Sequence, residues 1–126
     1  MQLSVARNRE VNVVRVKESR LTYPVLATFY AEVRQIVEEG AQRLVIDLEA
    51  VTYIDSAAVG CLIDIHNLLE RRDGTLRLSG LQPRVETMLL MVGVQKVMHL
   101  DRKEADALAA FGLPPRPNGE FATHTA

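Results

Sequence analysis

Apolar and polar residues are arranged along this chain so that short strand-like runs alternate with longer helix-like segments. In the strand-like runs, apolar residues are consecutive or alternate with polar ones, whereas in the helix-like segments they recur every three or four positions. Glycine or proline residues mark several of the boundaries. The predicted strands cover residues 2–6, 11–16, 44–48, 75–79 and 96–100. The predicted helices cover residues 23–39, 57–72, 83–91 and 101–111.

This alternation of strands and helices predicts an α/β fold. We expect a mostly parallel central sheet of about four to five strands, with about four helices packed against it. The run 44–48 is almost entirely apolar, as in a central strand that is covered on both faces, and Asp47 is its one charged residue. We expect residues 1–112 to form a single domain, and the proline-rich, aperiodic residues 113–126 to form a disordered extension.

The predicted helix over residues 57–72 is more apolar than a helix with a single narrow stripe. Core packing accounts for most of the apolar side chains of this helix. We expect some of the apolar side chains near its start to contact a protein partner instead. Cys61, the only cysteine, lies within this pattern and is predicted to be a small core residue. The apolar residues of this helix are Ala58, Val59, Cys61, Leu62, Ile63, Ile65, Leu68 and Leu69.

An aspartate and a serine, Asp55 and Ser56, lie where this apolar helix should begin. The backbone N–H groups and the positive end of the dipole at a helix N-terminus favour anionic groups. A serine at this position is therefore a candidate for phosphorylation. Asp55 has two possible roles at this stage: it orients the serine hydroxyl during phosphate transfer, or it caps the helix.

Composition and charge narrow the classes of function. A net charge of −1 with scattered basic residues argues against nucleic-acid binding. No apolar stretch approaches the roughly 20 residues that span a bilayer, so we expect no membrane insertion. The single cysteine excludes an intrachain disulfide and the first residues do not resemble a signal peptide, so we expect a cytoplasmic protein.

The nucleophilic and metal-ligating residue types do not form a known catalytic pattern. His66, His99 and His124 are isolated, with no other ligand at the spacing of a metal site. Ser56 lies outside a Gly-x-Ser-x-Gly elbow, and the chain has no glycine-rich phosphate loop. We therefore expect no metal, no cofactor and no enzymatic activity; a small hydrolase with a serine nucleophile is kept as an alternative hypothesis.

Residues 51–60, Val-Thr-Tyr-Ile-Asp-Ser-Ala-Ala-Val-Gly, resemble the signature of the STAS domain of anti-sigma-factor antagonists. The resemblance covers about residues 5–111. It includes residues 20–22 before the first long helix and the apolar strand 43–48. Residues 82–94 look like the third helix of the family and its end. The resemblance implies a single STAS-like domain.

The resemblance also implies a function, a phosphorylation site and partners. In that family, an anti-sigma factor that is also a serine protein kinase phosphorylates the serine after the aspartate. The unmodified antagonist binds the anti-sigma factor, the phosphorylated form releases it, and a serine phosphatase restores binding. This chain would then be a phosphoprotein that regulates transcription by partner switching. Ser56 is the matching phosphorylation position, and the implied partner-binding residues are Thr22, Asp55, Ser56, Ala57, Ala58 and Val59.

The chain departs from the family pattern on both sides of this signature. Ser19 and Thr22 stand where the family usually has a glycine and an aspartate, and Ala57 and Ala58 stand where it usually has a serine and a glycine. Ser56 is therefore the only serine in the signature, and Thr52 is expected to have a structural role at the end of a strand. Two outcomes stay open: the phosphorylation switch is retained, or partner binding is retained without it.

An alternative function within the same family is a non-switching STAS accessory subunit of a membrane lipid-transport ABC system. In that role Ser56 would be structural, and the apolar second helix would dock on an ATPase subunit. The near-neutral charge and the short chain are compatible with both functions.

Overall fold

The computed structural model describes residues 1–7 and 11–112, and the backbone of residues 122–125. The strands are β1 (Leu3–Arg7), β2 (Asn12–Val16), β3 (Arg20–Leu21), β4 (Arg43–Asp47), β5 (Tyr53–Ile54), β6 (Thr75–Ser79), β7 (His99–Leu100) and β8 (Ala122–Thr125). The helices are α1 (Tyr23–Glu38), α2 (Ser56–Glu70), α3 (Pro83–Val92) and α4 (Glu104–Ala110), with a 3₁₀ helix at Val94–Lys96. The predicted α/β fold is confirmed.

The main sheet is mixed and mostly parallel, with the strand order β7-β6-β4-β2-β1-β8. Strands β2, β4, β6 and β7 are parallel, whereas β1 is antiparallel to β2 and β8. Strands β3 and β5 form a separate two-stranded parallel sheet. The predicted strand over 96–100 shrinks to two residues, because the 3₁₀ helix and a turn occupy its first half.

The C-terminal segment differs from its prediction at four residues. Residues 122–125 form β8 and pair with β1 in antiparallel register, where a disordered extension is expected from the sequence. Without β8, the backbone N–H and C=O groups on that side of β1 would lack a strand to pair with. The remaining residues of the predicted extension, 113–121 and 126, lie outside the described residues.

The main hydrophobic core lies on one face of the sheet, beneath α1, α2 and α3. Leu44 and Ile46 of β4 point into it, whereas the intervening Val45 contributes to a smaller cluster under α4, as the alternation of a strand requires. Helix α2 contributes seven buried residues to this core. Most of the apolar side chains of this helix are therefore used in core packing. Cys61 is among them, and burial raises the pKa of its thiol to about 11.

The opposite face of the sheet is covered by α4 and is much more polar. Two arginines of the sheet hold the start of this helix and the preceding turn through paired hydrogen bonds. Arg15 binds Glu104 at 2.9 Å through Nε and at 2.9 Å through Nη2. Arg77 binds Asp101 at 2.8 and 3.2 Å. Among the described residues, no helix is both long and apolar enough to cross a membrane.

Gly80 follows β6 in a left-handed conformation, with φ +68°, and it lies against Asp47. A Cβ atom here would overlap with Asp47 Oδ1 and would lie 3.1 Å from the Glu49 backbone N. We expect Gly80→Ala to lower the free energy of unfolding by more than the about 1–2 kcal/mol that the left-handed conformation alone costs an alanine. Urea denaturation measures this loss.

Gly93→Ala is the matched control, because Gly93 has φ +89° and an added Cβ would meet nothing closer than Lys96 Cδ at 3.8 Å. This variant reports the backbone cost alone. Equal losses for the two variants would contradict the close packing of Gly80 against Asp47.

Candidate functional site

The carboxylate of Asp55 binds the N-termini of two helices. Its Oδ1 accepts a hydrogen bond from the backbone N–H of Ala58 in the first turn of α2, at 2.8 Å. Its Oδ2 accepts from the backbone N–H of Tyr23, the first residue of α1, at 2.9 Å. Asp55 is the N-cap of α2 and has the extended backbone typical of that position. Of the two possible roles of Asp55, the structure therefore shows the capping role directly.

The small sheet of β3 and β5 brings these two helix starts together. Leu21 pairs with Ile54, and both side chains are buried. The Ser19 carbonyl oxygen accepts hydrogen bonds from the Thr52 backbone N–H at 2.8 Å and from the Thr52 Oγ1 hydroxyl at 3.1 Å. Because the two strands are parallel and each leads into a helix, α1 and α2 begin side by side.

Ser56 is the first residue of α2 and is exposed to solvent. Thr22, Asp55 and Ala57 are each half-buried around it. The structure thus gathers four of the six predicted partner-binding residues on one surface.

The other two, Ala58 and Val59, are 0% and 3% exposed and belong to the core. They present almost no surface to a partner, because their positions in the first turns of α2 face the sheet. Their small or branched side chains help α2 to pack, and of the predicted residues on α2 only Ser56 and Ala57 reach the surface.

A groove of about 660 Å³ runs between α1 and α2, and Ala57, the residue after Ser56, lines it. Tyr23 and Pro24 form one wall at the start of α1, and Ala57 and Gly60 form the other wall at the start of α2. Tyr23 is 75% exposed, although aromatic side chains are usually more buried. Sequence reasoning missed Tyr23 as a site residue, since its place at a helix start gives no sign of a neighbouring helix.

A cation and an aromatic ring lie on the small sheet just before Ser56. The guanidinium carbon of Arg20 is 4.5 Å from the centroid of the Tyr53 ring, within the range of a cation–π interaction. Sequence reasoning missed this pair as well, because strands of two residues have no periodicity to detect.

The family model of the STAS domain matches residues 2–107. This chain belongs to the STAS domain family. An anti-sigma factor antagonist from Mycobacterium paratuberculosis has a TM-score of 0.79 at 22% identity, with 89% of this chain and 95% of that chain covered. The Bacillus cell fate determinant SpoIIAA in its phosphorylated form has a TM-score of 0.66 at 20% identity, with 86% and 97% covered. A sulfate transporter family protein from Wolinella succinogenes has a TM-score of 0.72 at 19% identity, with 83% and 87% covered.

These identities support a shared fold, and the family match confirms the resemblance stated from residues 51–60. His66 and His99 lie apart from the site. His66 is half-buried on α2, with Nε2 3.1 Å from Glu70 Oε1, and His99 is exposed on β7. In residues 1–7 and 11–112, no three His, Cys, Asp or Glu side chains are grouped so that they could hold a metal ion.

The shared cap predicts how substitutions of Asp55 affect the stability of this STAS domain. Asp55→Ala leaves two helix N-termini uncapped, and we expect it to lower the free energy of unfolding by about 1–3 kcal/mol. Asp55→Asn should cost less, because its one carbonyl oxygen can still accept from Ala58. Chemical denaturation of both variants measures the difference.

Asp64→Ala is the control, since Asp64 is an exposed carboxylate in the middle of the same helix. We expect a change within about 0.5 kcal/mol for this variant. A loss for Asp55→Ala no larger than that of the control would show that the carboxylate does not join the two helices in solution.

Proposed function

We propose that this STAS domain is an anti-sigma-factor antagonist without catalytic activity of its own. Its unmodified form binds an anti-sigma factor that is also a serine kinase, and phosphorylation of Ser56 releases that partner. A serine phosphatase reverses the modification, and the cycle regulates transcription in the cytoplasm. The observation that carries this proposal is the exposed Ser56 at the start of α2, beside the groove between the two helices that Asp55 joins.

The position of Ser56 favours phosphorylation without refolding of the domain. The N-terminus of α2 attracts negative charge, with an effect of about 0.3–1 kcal/mol per charged group. A phosphate adds about −1.5 to −2 charges, close to the carboxylate of Asp55. The attraction of the helix and the repulsion from Asp55 oppose each other, so the net effect on the stability of the free domain is small.

The same phosphate has a much larger effect in a partner complex. Ala57 lines the groove, and Ser56 precedes it as the exposed first residue of α2. In this proposal the partner extends past Ala57 and covers Ser56 as well. Burying an unpaired anionic group costs several kcal/mol, which exceeds the attraction of one helix dipole. The modification therefore acts on the interface and leaves the fold of the free domain in place.

The charge of residue 56 is the variable that tests this mechanism. Ser56→Asp and Ser56→Asn have side chains of nearly equal size, and only the aspartate is charged. We expect wild-type and Ser56→Asn baits to capture an ATP-binding anti-sigma kinase from the native host, and the Ser56→Asp bait to lose it. Affinity capture with mass spectrometry measures this. The melting temperatures of the three proteins should agree within about 3 °C, which separates lost binding from lost folding.

Equal recovery of the kinase by the folded Asp and Asn baits would contradict a charge-driven switch at Ser56. Recovery of a transporter ATPase by both baits would instead support the accessory-subunit function in membrane lipid transport. The similarity in fold to a sulfate transporter family protein favours testing that second function in the same experiment.

The groove predicts a second effect on partner binding. Tyr23→Ala removes an exposed ring from the groove and keeps the backbone N–H that Asp55 binds. We expect the captured partner to bind Tyr23→Ala at least about tenfold more weakly, as for the loss of an aromatic contact at the centre of an interface. Met91→Ala is the control, because Met91 is 82% exposed at the end of α3, outside the groove. Titration calorimetry that gave equal affinities for both variants would exclude the groove as the interface.

A further inference from the structure

A glycine inside α2 is not required by the packing of the domain. Gly60 is exposed and helical, and a Cβ atom added to it would meet no atom within 4 Å apart from its chain neighbours and the adjoining backbone of α2. Among the glycines of residues 11–112, Gly60 alone has neither a positive φ nor a close neighbour at that position. Because glycine destabilises a helix interior relative to alanine, an alanine here would make the free domain more stable.

Gly60 lies on the groove between α1 and α2, where its missing side chain leaves room for an atom from outside the domain. Ala27 faces the groove from α1, and Ala57 precedes Gly60 by one turn on α2. Glycine is used in proteins where another group must come close to the backbone. Since no described part of the domain occupies the space at Gly60, the group that comes close belongs to a partner.

Asp64 is the charged residue of this groove. It is exposed one turn after Gly60, and the other residues that line the groove are neutral. No ion pair of Asp64 is present in the described part of the chain. One turn beyond the groove on α1, Arg34 is bound to Glu38 at 2.8 Å, and on α2 the next cation, Arg71, is seven residues past Asp64. An apolar occupant with one positive charge therefore complements the groove.

The walls of the groove determine which kind of segment fits it. Both walls are α-helices, whose backbone N–H and C=O groups are bonded within each helix and offer no partners to another backbone. An extended segment would leave its own buried backbone groups unpaired, whereas a helix satisfies them internally. From Ala57 to Asp64 the groove follows α2 for about 10 Å, the length of two helical turns.

We propose that the groove binds an amphipathic helix of the partner, and that Gly60 is the point of closest approach. The inference rests on the proposed function, which makes this groove the partner-binding surface. The bound helix places apolar side chains between Tyr23 and Gly60, and it carries a lysine or arginine that pairs with Asp64. Its other end extends past Ala57 to Ser56.

Gly60→Ala separates a role in binding from a role in folding, because the two expected effects have opposite signs. In the free domain, the melting temperature should rise by about 2–5 °C, since alanine favours the helix. The affinity for the purified anti-sigma kinase that the wild-type bait captures should fall at least about tenfold, because the added methyl group overpacks the contact. Gly60→Leu should bind more weakly still. Thermal unfolding and titration calorimetry measure the two effects.

Asn67→Ala is the matched control. Asn67 is exposed on α2, seven residues after Gly60, and it does not line the groove. Alanine raises the helix propensity here as well, so we expect a higher melting temperature and an unchanged affinity. Wild-type affinity of the folded Gly60→Ala and Gly60→Leu proteins would overturn the proposal. A lower melting temperature of Gly60→Ala would also overturn it, since glycine would then be needed for the fold.

Photocrosslinking identifies the segment that occupies the groove. Tyr23→benzoylphenylalanine places a reactive aromatic side chain in the groove and keeps the backbone N–H that binds Asp55. We expect a cross-link to a kinase segment with apolar residues at spacings of three and four and at least one lysine or arginine. A cross-link to a segment without this spacing, or to a second copy of this chain, would overturn the proposal.

A charge exchange tests the pairing with Asp64. We expect Asp64→Lys to lower the affinity at least about tenfold, and glutamate in place of the basic residue of the cross-linked segment to restore most of the loss. Unchanged affinity of Asp64→Lys would contradict the pairing.

These outcomes are distinct from a failure of the proposed switch. Equal binding of the Ser56→Asp and Ser56→Asn proteins would overturn the switch alone. If the wild-type bait captures a transporter ATPase in place of a kinase, the Gly60 variants and the cross-link decide the helical occupant with that protein.

Discussion

The candidate site depends on one carboxylate that joins two helices. The backbone N–H groups at the starts of α1 and α2 both point at Asp55, so the positive ends of two helix dipoles meet there. Two such ends side by side repel each other, and the negative charge between them offsets that repulsion. This arrangement brings the start of α1 at Tyr23 and the start of α2 at Ser56 together at one carboxylate.

The two faces of the main sheet are stabilised in different ways. Beneath α1, α2 and α3, the contacts are apolar and side chains such as Phe29, Leu62 and Leu78 are fully buried. Beneath α4, a few small apolar side chains are supplemented by arginine–carboxylate pairs. Close-packed apolar surfaces respond little to pH, whereas buried charges respond directly. The site therefore lies on the face with the apolar core, and the buried arginine–carboxylate pairs lie on the other.

Sequence reasoning succeeds where a pattern is long enough to be read locally. The helical spacing over α1 and α2, the apolar run of β4 and the Asp55–Ser56 pair at a helix start are all local signals. It fails for β3 and β5, since strands of two residues have no periodicity, and for the strand at residues 122–125, since pairing with β1 is a tertiary contact.

The candidate site could be predicted only in part, because some of its features are local in sequence and others depend on tertiary contacts. The position of Ser56 follows from the chain around it, whereas the bond from Tyr23 to Asp55 links residues 32 positions apart. Burial of Ala58 and Val59 also depends on which side of α2 meets the sheet, and the broad apolar band of this helix does not mark that side. A signature read along the chain thus gives the residues of the site and leaves open which of them reach its surface.

The shared cap also explains how a small chemical change can act on binding and spare the fold. A cap contributes about 1–2 kcal/mol, a minor part of the roughly 5–15 kcal/mol that stabilises a domain. A phosphate on Ser56 would perturb interactions of that size, and the buried residues of α1 and α2 would hold both helices in place. Partner binding is more sensitive to such a perturbation, because each 1.4 kcal/mol of binding free energy changes the affinity tenfold. In the proposed function, a charge on Ser56 would therefore change partner binding well before it changed folding.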